Sequence, residues 1–486
     1  MNLRFTYFFL LLAVLWLSAC MMGPDYQQPV LGINTPETFA NASKREAVAY
    51  KELNDWWQVF DDPEINRIVT NVTLNNPDIR LAAARVLEVK SVFSQTRADQ
   101  YPTLGIKADA GRHSQGGINP LTGSVDKRIY DTYSLSLPAS FELDLWGRLA
   151  RATESAKAEL LAAEENRRTV IQSLIAEAVS LYLNIESLER QIQINAKSVD
   201  AYRKSLELVE GRYRRGISSI LDVRQASRAL AQAESLLPPL TTALGTSRQS
   251  LAVLQGQYPT NMRQREQPGN YFKLPPSVPS GLPSELLNRR PDIQYAEAGL
   301  KSAGARIGVA KASRFPRISL TATFGYSSGD LNDLLDPKSE LWNIAAGASQ
   351  SLFDAGKLAA GQRAAEARYQ QALSSYAKTV LQAFFEVESA LLNREKKIKQ
   401  RKLLVKYLDE AIATLDVAQD RYKRGLSDYL TVMVSQQVKY SAEQQLVVVE
   451  YEILSNHVSL CRALGGGWDL NIDGLVKSPS AALRSP

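Results

Sequence analysis

From Gly147 to Gly211 the chain carries neither glycine nor proline between those two residues, and apolar residues return at alternating spacings of four and three. The stripe runs Leu174, Ala178, Leu181, Ile185, Leu188, Ile192, Asn195, Val199, Tyr202, Leu206, Val209, with Asn195 its single polar break. A spacing that averages 3.5 predicts a helix supercoiled against a partner. The stretch from Gly361 to Gly425 repeats the pattern through Val380, Phe384, Val387 and Leu391 to Leu415, with Arg394 and Arg401 as exceptions. Each stretch, about 63 residues, amounts to roughly 95 Å of helix.

Elsewhere the period is two. Leu104, Ile106, Ala108 and Ala110 alternate with Thr103, Gly105, Lys107 and Asp109. From Tyr133 to Leu145 one side is Tyr133, Leu135, Leu137, Ala139, Phe141, Leu143 and Leu145, and the other is mostly serine and carboxylate. Ile318, Leu320, Ala322, Phe324 and Tyr326 form a third such face, and Trp342, Ile344, Ala346 and Ala348 a fourth. Segments of about ten residues with one apolar and one polar face suit outer-membrane strands. A soluble sheet with one buried face produces the same alternation. The polar stretches Ser114 to Arg128 and Ser327 to Glu340 read as external loops.

The chain is a duplication. Asn76-Pro77-Asp78-Ile79 returns as Arg290-Pro291-Asp292-Ile293, and Tyr101-Pro102 as Phe315-Pro316. Gly147-Arg148-Leu149-Ala150 returns as Gly356-Lys357-Leu358-Ala359, and Arg212-Tyr213-Arg214-Arg215-Gly216 as Arg421-Tyr422-Lys423-Arg424-Gly425. Each half predicts a helix (Pro77 to Gln100; Pro291 to Arg314), two strands, a long helix, a turn and a returning helix. Pro238-Pro239 predicts a kink in the first returning helix, Ile220 to Gln255, with no counterpart in the second half. The stretch from Gly256 to Pro291 reads as a connector with no helical pattern. The expected divisions are a signal peptide 1–19, a lipid-anchored and equatorial segment 20–76, a first repeat 77–255, a connector 256–290, a second repeat 291–465 and a tail 466–486.

Four strands in lipid leave two open edges, which hydrocarbon does not tolerate. A membrane reading therefore requires an oligomer. The helix before the strands and the returning helix together nearly match the long one, so each chain offers four columns of helix. Twelve columns from three chains, about 10 Å apart, enclose a bore near 28 Å; two chains leave about 15 Å.

The N-terminus sharpens the address. Arg4 precedes an apolar run from Phe8 to Leu17 that is too short for a comfortable membrane span. Leu17-Ser18-Ala19-Cys20 has the form of a bacterial lipobox, with Cys20 the residue that takes the lipid. With 486 residues, 45% of them apolar and 22% charged, the chain has ample means to bury a core. It has 2 Cys and 2 His, which excludes a disulfide framework and a Cys/His zinc cluster. A net charge of +6 with basic and acidic residues interleaved is not a nucleic-acid signature. No phosphate loop or catalytic constellation is present in the sequence, so no enzyme, cofactor or metal is expected.

Taken in order, the lipobox, Trp56-Trp57 with Phe60-x-Asp62-Pro63, Asn76-Pro77-Asp78 and Phe141-Glu142-Leu143-Asp144-Leu145-Trp146-Gly147-Arg148 resemble one family. The connector Gly281-Leu282-Pro283 through Arg290-Pro291-Asp292-Ile293, the doubled Arg-Tyr-x-x-Gly and Ala463-Leu464-Gly465-Gly466-Gly467-Trp468 complete the resemblance. It is to the TolC-like outer membrane factors of bacterial tripartite export systems, in their OprM/NodT lipoprotein branch. The resemblance implies an α+β membrane protein. It implies a homotrimer whose 12-stranded transmembrane β-barrel, four strands per chain, continues into a long periplasmic α-helical barrel. It implies a passive efflux conduit in the outer membrane for drugs or other small toxic compounds, gated at its periplasmic tip. The partners implied are a periplasmic adaptor, an inner-membrane pump of the RND type and outer-membrane lipid, with no nucleic acid. Asp222 matches a lumen-facing carboxylate of the family, whereas the second half has Thr431 there. The candidate gate or adaptor-docking residues are Arg212, Tyr213, Gly216, Asp222, Asp416, Arg421, Tyr422, Gly425 and Asp428. The competing readings are a periplasmic adaptor, which would show one hairpin flanked by split β-domains, and a coiled-coil structural lipoprotein, which would need no amphipathic strands.

Overall fold

The computed structural model describes residues 21–32, 38–41, 54–118, 125–259, 272–279 and 283–467. The signal peptide, Cys20 and Trp468 lie outside the described residues. The chain divides into two compact units. One comprises residues 1–31, 85–164 and 295–377; the other comprises 32–84, 165–294 and 378–486.

The first unit holds the sheet. Its strands are β1 (Thr103–Leu104), β2 (Lys107–Ile118), β3 (Val125–Leu143), β4 (Arg317–Ser328) and β5 (Glu340–Ser349). β1 and β2 are two pieces of one edge strand, and both pair antiparallel with β3. β3 pairs with β4 and β4 with β5, so the other edge is β5. The four alternating segments are thus four consecutive antiparallel strands, the first interrupted at Gly105 and Ile106. One expectation is corrected. The hairpin ladder continues from Ser114 to Ile118 and back from Val125, through residues read as a loop. Cross-strand pairs lie at the start of that extension: His113 Nε2 lies 2.9 Å from Thr132 Oγ1, its ring is 5.4 Å from that of Tyr130, and Arg112 faces Asp131. The second expected loop lies where it was read, between β4 and β5, and holds two short 3-10 turns.

The same unit fixes the segment that follows Cys20. The Arg151 side chain is 2% exposed, and its guanidinium donates to the Met22 carbonyl at 3.1 Å and the Gly23 carbonyl at 3.3 Å. It also pairs with Asp25 and Glu154, at 2.7 Å each. The Met22 amide donates to the Trp146 carbonyl. A Cβ on Gly308 would lie 2.7 Å from the Met22 oxygen, and one on Gly147, itself at φ +74°, 2.5 Å from Met21. Tyr26 donates to Glu297 at 2.9 Å. Residues 21–26 therefore sit in a fitted slot that only glycine at 147 and 308 leaves open.

Helices dominate the rest: α1 (Pro63–Asn75), α2 (Pro77–Ala98), α3 (Arg148–Arg214), α4 (Ile220–Ser235), α5 (Leu237–Leu254), α6 (Pro283–Arg289), α7 (Pro291–Ala312), α8 (Lys357–Lys423) and α9 (Tyr429–Ala463). Both long helices run 67 residues, or about 100 Å. Every member of the first apolar stripe in α3 is buried or half-buried, and so are most of those in α8. The polar exceptions are accounted for by partners. Arg401 pairs with Glu450 at 2.8 Å and lies over the Phe272 ring, and Arg394 donates to the Pro275 carbonyl. α6 lies inside the stretch read as lacking helix, a correction: Pro283 at its start supplies a ready-made φ and needs no donor. α1 was not read from the pattern. Asp62 caps it by accepting from the Glu64 amide, and its apolar face is Ile65, Ile68, Val69 and Val72.

Candidate functional site

The Arg-Tyr-x-x-Gly motifs close the two long helices in the same way. The Ile217 amide donates to the Arg212 carbonyl and that of Gly216 to the Tyr213 carbonyl, at 2.9 Å each. In the second half Leu426 donates to Arg421 at 2.8 Å and Gly425 to Tyr422 at 3.0 Å. This is the Schellman arrangement, which needs a left-handed residue after the helix. Gly216 (φ +71°) and Gly425 (φ +72°) supply it.

The returning helices then start on the candidate carboxylates. Ser219 caps α4: its hydroxyl accepts from the Asp222 amide at 3.2 Å, and Asp222 Oδ2 accepts from the Ser219 amide at 3.0 Å. Ser218 also donates to Asp222, at 2.8 Å. In α9 the roles are exchanged. Asp428 is the cap and accepts from the Thr431 amide at 3.0 Å and the Thr431 hydroxyl at 2.6 Å. The duplicated positions thus read Ser-x-x-Asp and Asp-x-x-Thr, one carboxylate per helix start in either order. Burial raises the Asp222 carboxyl, but hydrogen bonds from Ser218 and Ser219 outweigh it and hold the group below its ordinary value, against the nearby charge of Asp428. The bonds from the Thr431 hydroxyl and amide likewise lower Asp428.

Behind the caps lies a small apolar core that includes Tyr202, Val209, Ala226, Leu415, Tyr422, Tyr429 and Met433. The Tyr422 and Tyr429 rings are 5.8 Å apart. Arg212 lies 4.8 Å above the Tyr422 ring, a cation–π distance. Burial pushes the Tyr429 hydroxyl up to about 12. Of the candidates, then, Arg212, Asp222, Tyr422 and Asp428 gather at the ends of α3, α4, α8 and α9. Tyr213, Asp416 and Arg421 stand on exposed faces. Sequence reasoning missed Tyr429, Ser219 and the capping role of Asp428. The capping box was visible as Ser219-x-x-Asp222; the burial of Tyr429 had no local signal. Among the described residues no cluster of His, Cys, Asp or Glu could hold a metal ion.

His457 and Cys461 lie one turn apart on α9. Burial, reinforced by the charge of Arg394, drops His457 to about 4. Burial raises the Cys461 thiol to about 12. Both are neutral core groups near neutral pH, and His457 meets the ring of Phe60 edge to face.

A duplicated pair of strands, each pair leading into a helix of 67 residues, makes this an α+β protein built from two like halves. Comparison with known proteins places it further. The chain belongs to the outer membrane efflux protein family, whose model matches residues 68–257 and 282–466. It is 33% identical over 464 residues to the toluene efflux pump outer membrane protein TtgI of Pseudomonas putida, covering 94% of this chain and 98% of that one. It is 31% identical over 454 residues to the cation efflux system protein CusC of Escherichia coli, covering 93% and 97%. Among solved structures, the outer-membrane channel OprN superposes with a TM-score of 0.86 at 30% identity, over 92% of this chain and all (100%) of that one. It is an outer membrane protein of efflux, in a family of transport conduits.

Proposed function

We propose that three copies close the sheet into a twelve-stranded barrel and that the protein serves as the passive outer-membrane exit duct of a tripartite pump. The observation that carries this is the sheet itself: a chain of the efflux family ends on two unpaired edges, with Leu104, Ile106, Trp342 and Ile344 all more than two-thirds exposed. Open edges are not tolerated in hydrocarbon. A periplasmic adaptor docks at the Arg-Tyr-x-x-Gly tip, and an inner-membrane pump of the RND type supplies the energy; the duct performs no catalysis. Cys20 carries the lipid. Arg212 on Tyr422 and the Asp222 and Asp428 caps hold the tip narrow at rest, and adaptor binding releases them. The cargo is small toxic compounds, in keeping with relatives named for solvent, cation and pyoverdine export. Deleting the gene lowers the tolerated concentration of the exported compounds, and re-expression restores it. Unchanged susceptibility across solvents, dyes, antibiotics and metal salts contradicts this role.

A further inference from the structure

The second unit holds a cavity of about 330 Å³ between α3, α4 and α9, within the ~300–1,000 Å³ of small-molecule sites. Its apolar side is made by Tyr202, Tyr440 and Met433. The two tyrosine rings lie 6.0 Å apart and are tilted at 58°, and Tyr202 and Met433 are buried. The space stays open because α4 brings only the small side chains of Ala229 and Ala233 to the floor.

Two polar features of the lining are left unanswered. The Asn195 side chain, buried on α3, donates through Nδ2 to the Ala233 carbonyl. Its Oδ1 is buried as well and accepts from no donor among the described residues. A buried acceptor without a donor is costly. Arg228 is the single charged residue on the lining among the described residues. It is exposed and joins no ion pair among them, and the amide of Gln437 stands exposed across from it on α9. The duplicated positions of Asn195, Tyr202 and Arg228 are Leu404, Ala411 and Gln437. The second half builds the same helices without these groups, so folding alone does not call for them in the first.

We propose that this cavity is a binding site for a small hydroxylated aromatic acid. The ring of the ligand lies against Tyr202, Tyr440 and Met433, which offer π faces and a polarisable sulfur. Its carboxylate pairs with the Arg228 guanidinium, whose planar fork matches it, and accepts from the Gln437 amide. Its hydroxyl enters towards the floor and donates to Asn195 Oδ1. No carboxylate lines the cavity among the described residues, so an anion meets no like charge there and a cation meets no partner. The site lies wholly in one unit of one chain and stands apart from the trimer and the duct proposed above. A ligand seated in it ties α3, α4 and α9 together.

The test is isothermal titration calorimetry of the purified full-length protein, in mild detergent at neutral pH, with para-coumarate. Its carboxyl is then ionised and its phenol is not. Saturable binding is expected, with one site per chain. Arg228→Gln should weaken it about tenfold. Cinnamate, which lacks the hydroxyl, should bind about fivefold more weakly than para-coumarate. Arg224→Gln, an exposed position one turn away on α4 and outside the lining, should bind like the wild type. Gln437→Trp, at an exposed position, fills the mouth and should abolish binding. Unfolding midpoints by circular dichroism establish that each variant is folded; saturating para-coumarate should raise the midpoint of the wild type and leave that of Gln437→Trp where it was. Absence of saturable binding to the folded wild type overturns the site, and is the result a groove covered by a second copy or a partner helix would give. Equal binding by the wild type, Arg228→Gln and Gln437→Trp overturns it too. Equal affinity for the two acids overturns the Asn195 contact.

Discussion

At the scale of single residues, the tip carboxylates have two duties. Asp222 and Asp428 were picked out for their charge, yet each also holds the first turn of a helix. Replacing Ser219 with Ala should cost about 1 kcal/mol through the lost cap, seen as faster amide exchange over the first turn of α4. The carboxyls of Asp222 and Asp428 are depressed. Their contribution is present above the ordinary carboxylate value of about 4 and is lost as pH falls through the depressed values. Amide exchange at the starts of α4 and α9 should therefore accelerate selectively below about pH 4. His457 acts on a different window. Its folded value, about 4, lies below the ordinary value of about 6.5. The unfolded chain binds the proton first, so stability falls as pH drops from about 6.5 towards 4. His457→Leu should flatten that part of a pH–stability curve; an unchanged slope would remove His457 as its cause. The caps were legible as short motifs, whereas the fate of His457 depended on burial that the α9 pattern alone did not reveal.

At the scale of elements, two oddities of the sequence meet. Pro238-Pro239 breaks the first returning helix, and the break falls at Leu236, between α4 and α5. Proline lacks the amide that would continue the ladder. The Ala233 carbonyl, just before the break, accepts from Asn195 Nδ2 at 2.9 Å. Asn195 is the polar break of the α3 stripe and is 2% exposed. Each anomaly was legible, but their meeting across two helices was not, because it depends on how α3 packs against α4. Asn195→Leu should destabilise the protein by about 1 kcal/mol, since the carbonyl loses one of its two donors and keeps the Leu236 amide at 3.3 Å. Pro238→Ala and Pro239→Ala together return amides that face the Glu234 and Ser235 carbonyls, not that of Ala233, so their effect should add to that of Asn195→Leu; denaturant midpoints of the four variants test the additivity. The strands were legible where one face is apolar. From Ser114 to Arg128 both faces are polar, so alternation carried no signal and the hairpin there was taken for loop. α6 escaped notice because seven residues are too few for a helical period to show.

At the scale of the whole molecule, the duplication was the most informative feature of the sequence. It foretold the paired strands, the equal long helices and the matching turns. The slot around Arg151 was not foreseen, because it joins residues 21–26 to the start of α3 and to Gly308, which are distant in the chain. The slot holds residues 21–26 on the unit that carries the sheet. On the proposed trimer a bore of about 28 Å would not sort small cargo, so exchanging the pump alone is expected to change the exported set.

The most direct measurement is the ionic current through purified protein in a planar lipid bilayer, for the wild type and for Asp222→Ala with Asp428→Ala. Discrete conductance steps are expected in both, small at rest for the wild type and larger for the variant. Absence of steps in either protein would contradict the conduit, and equal resting conductance would remove the two carboxylates from the gate.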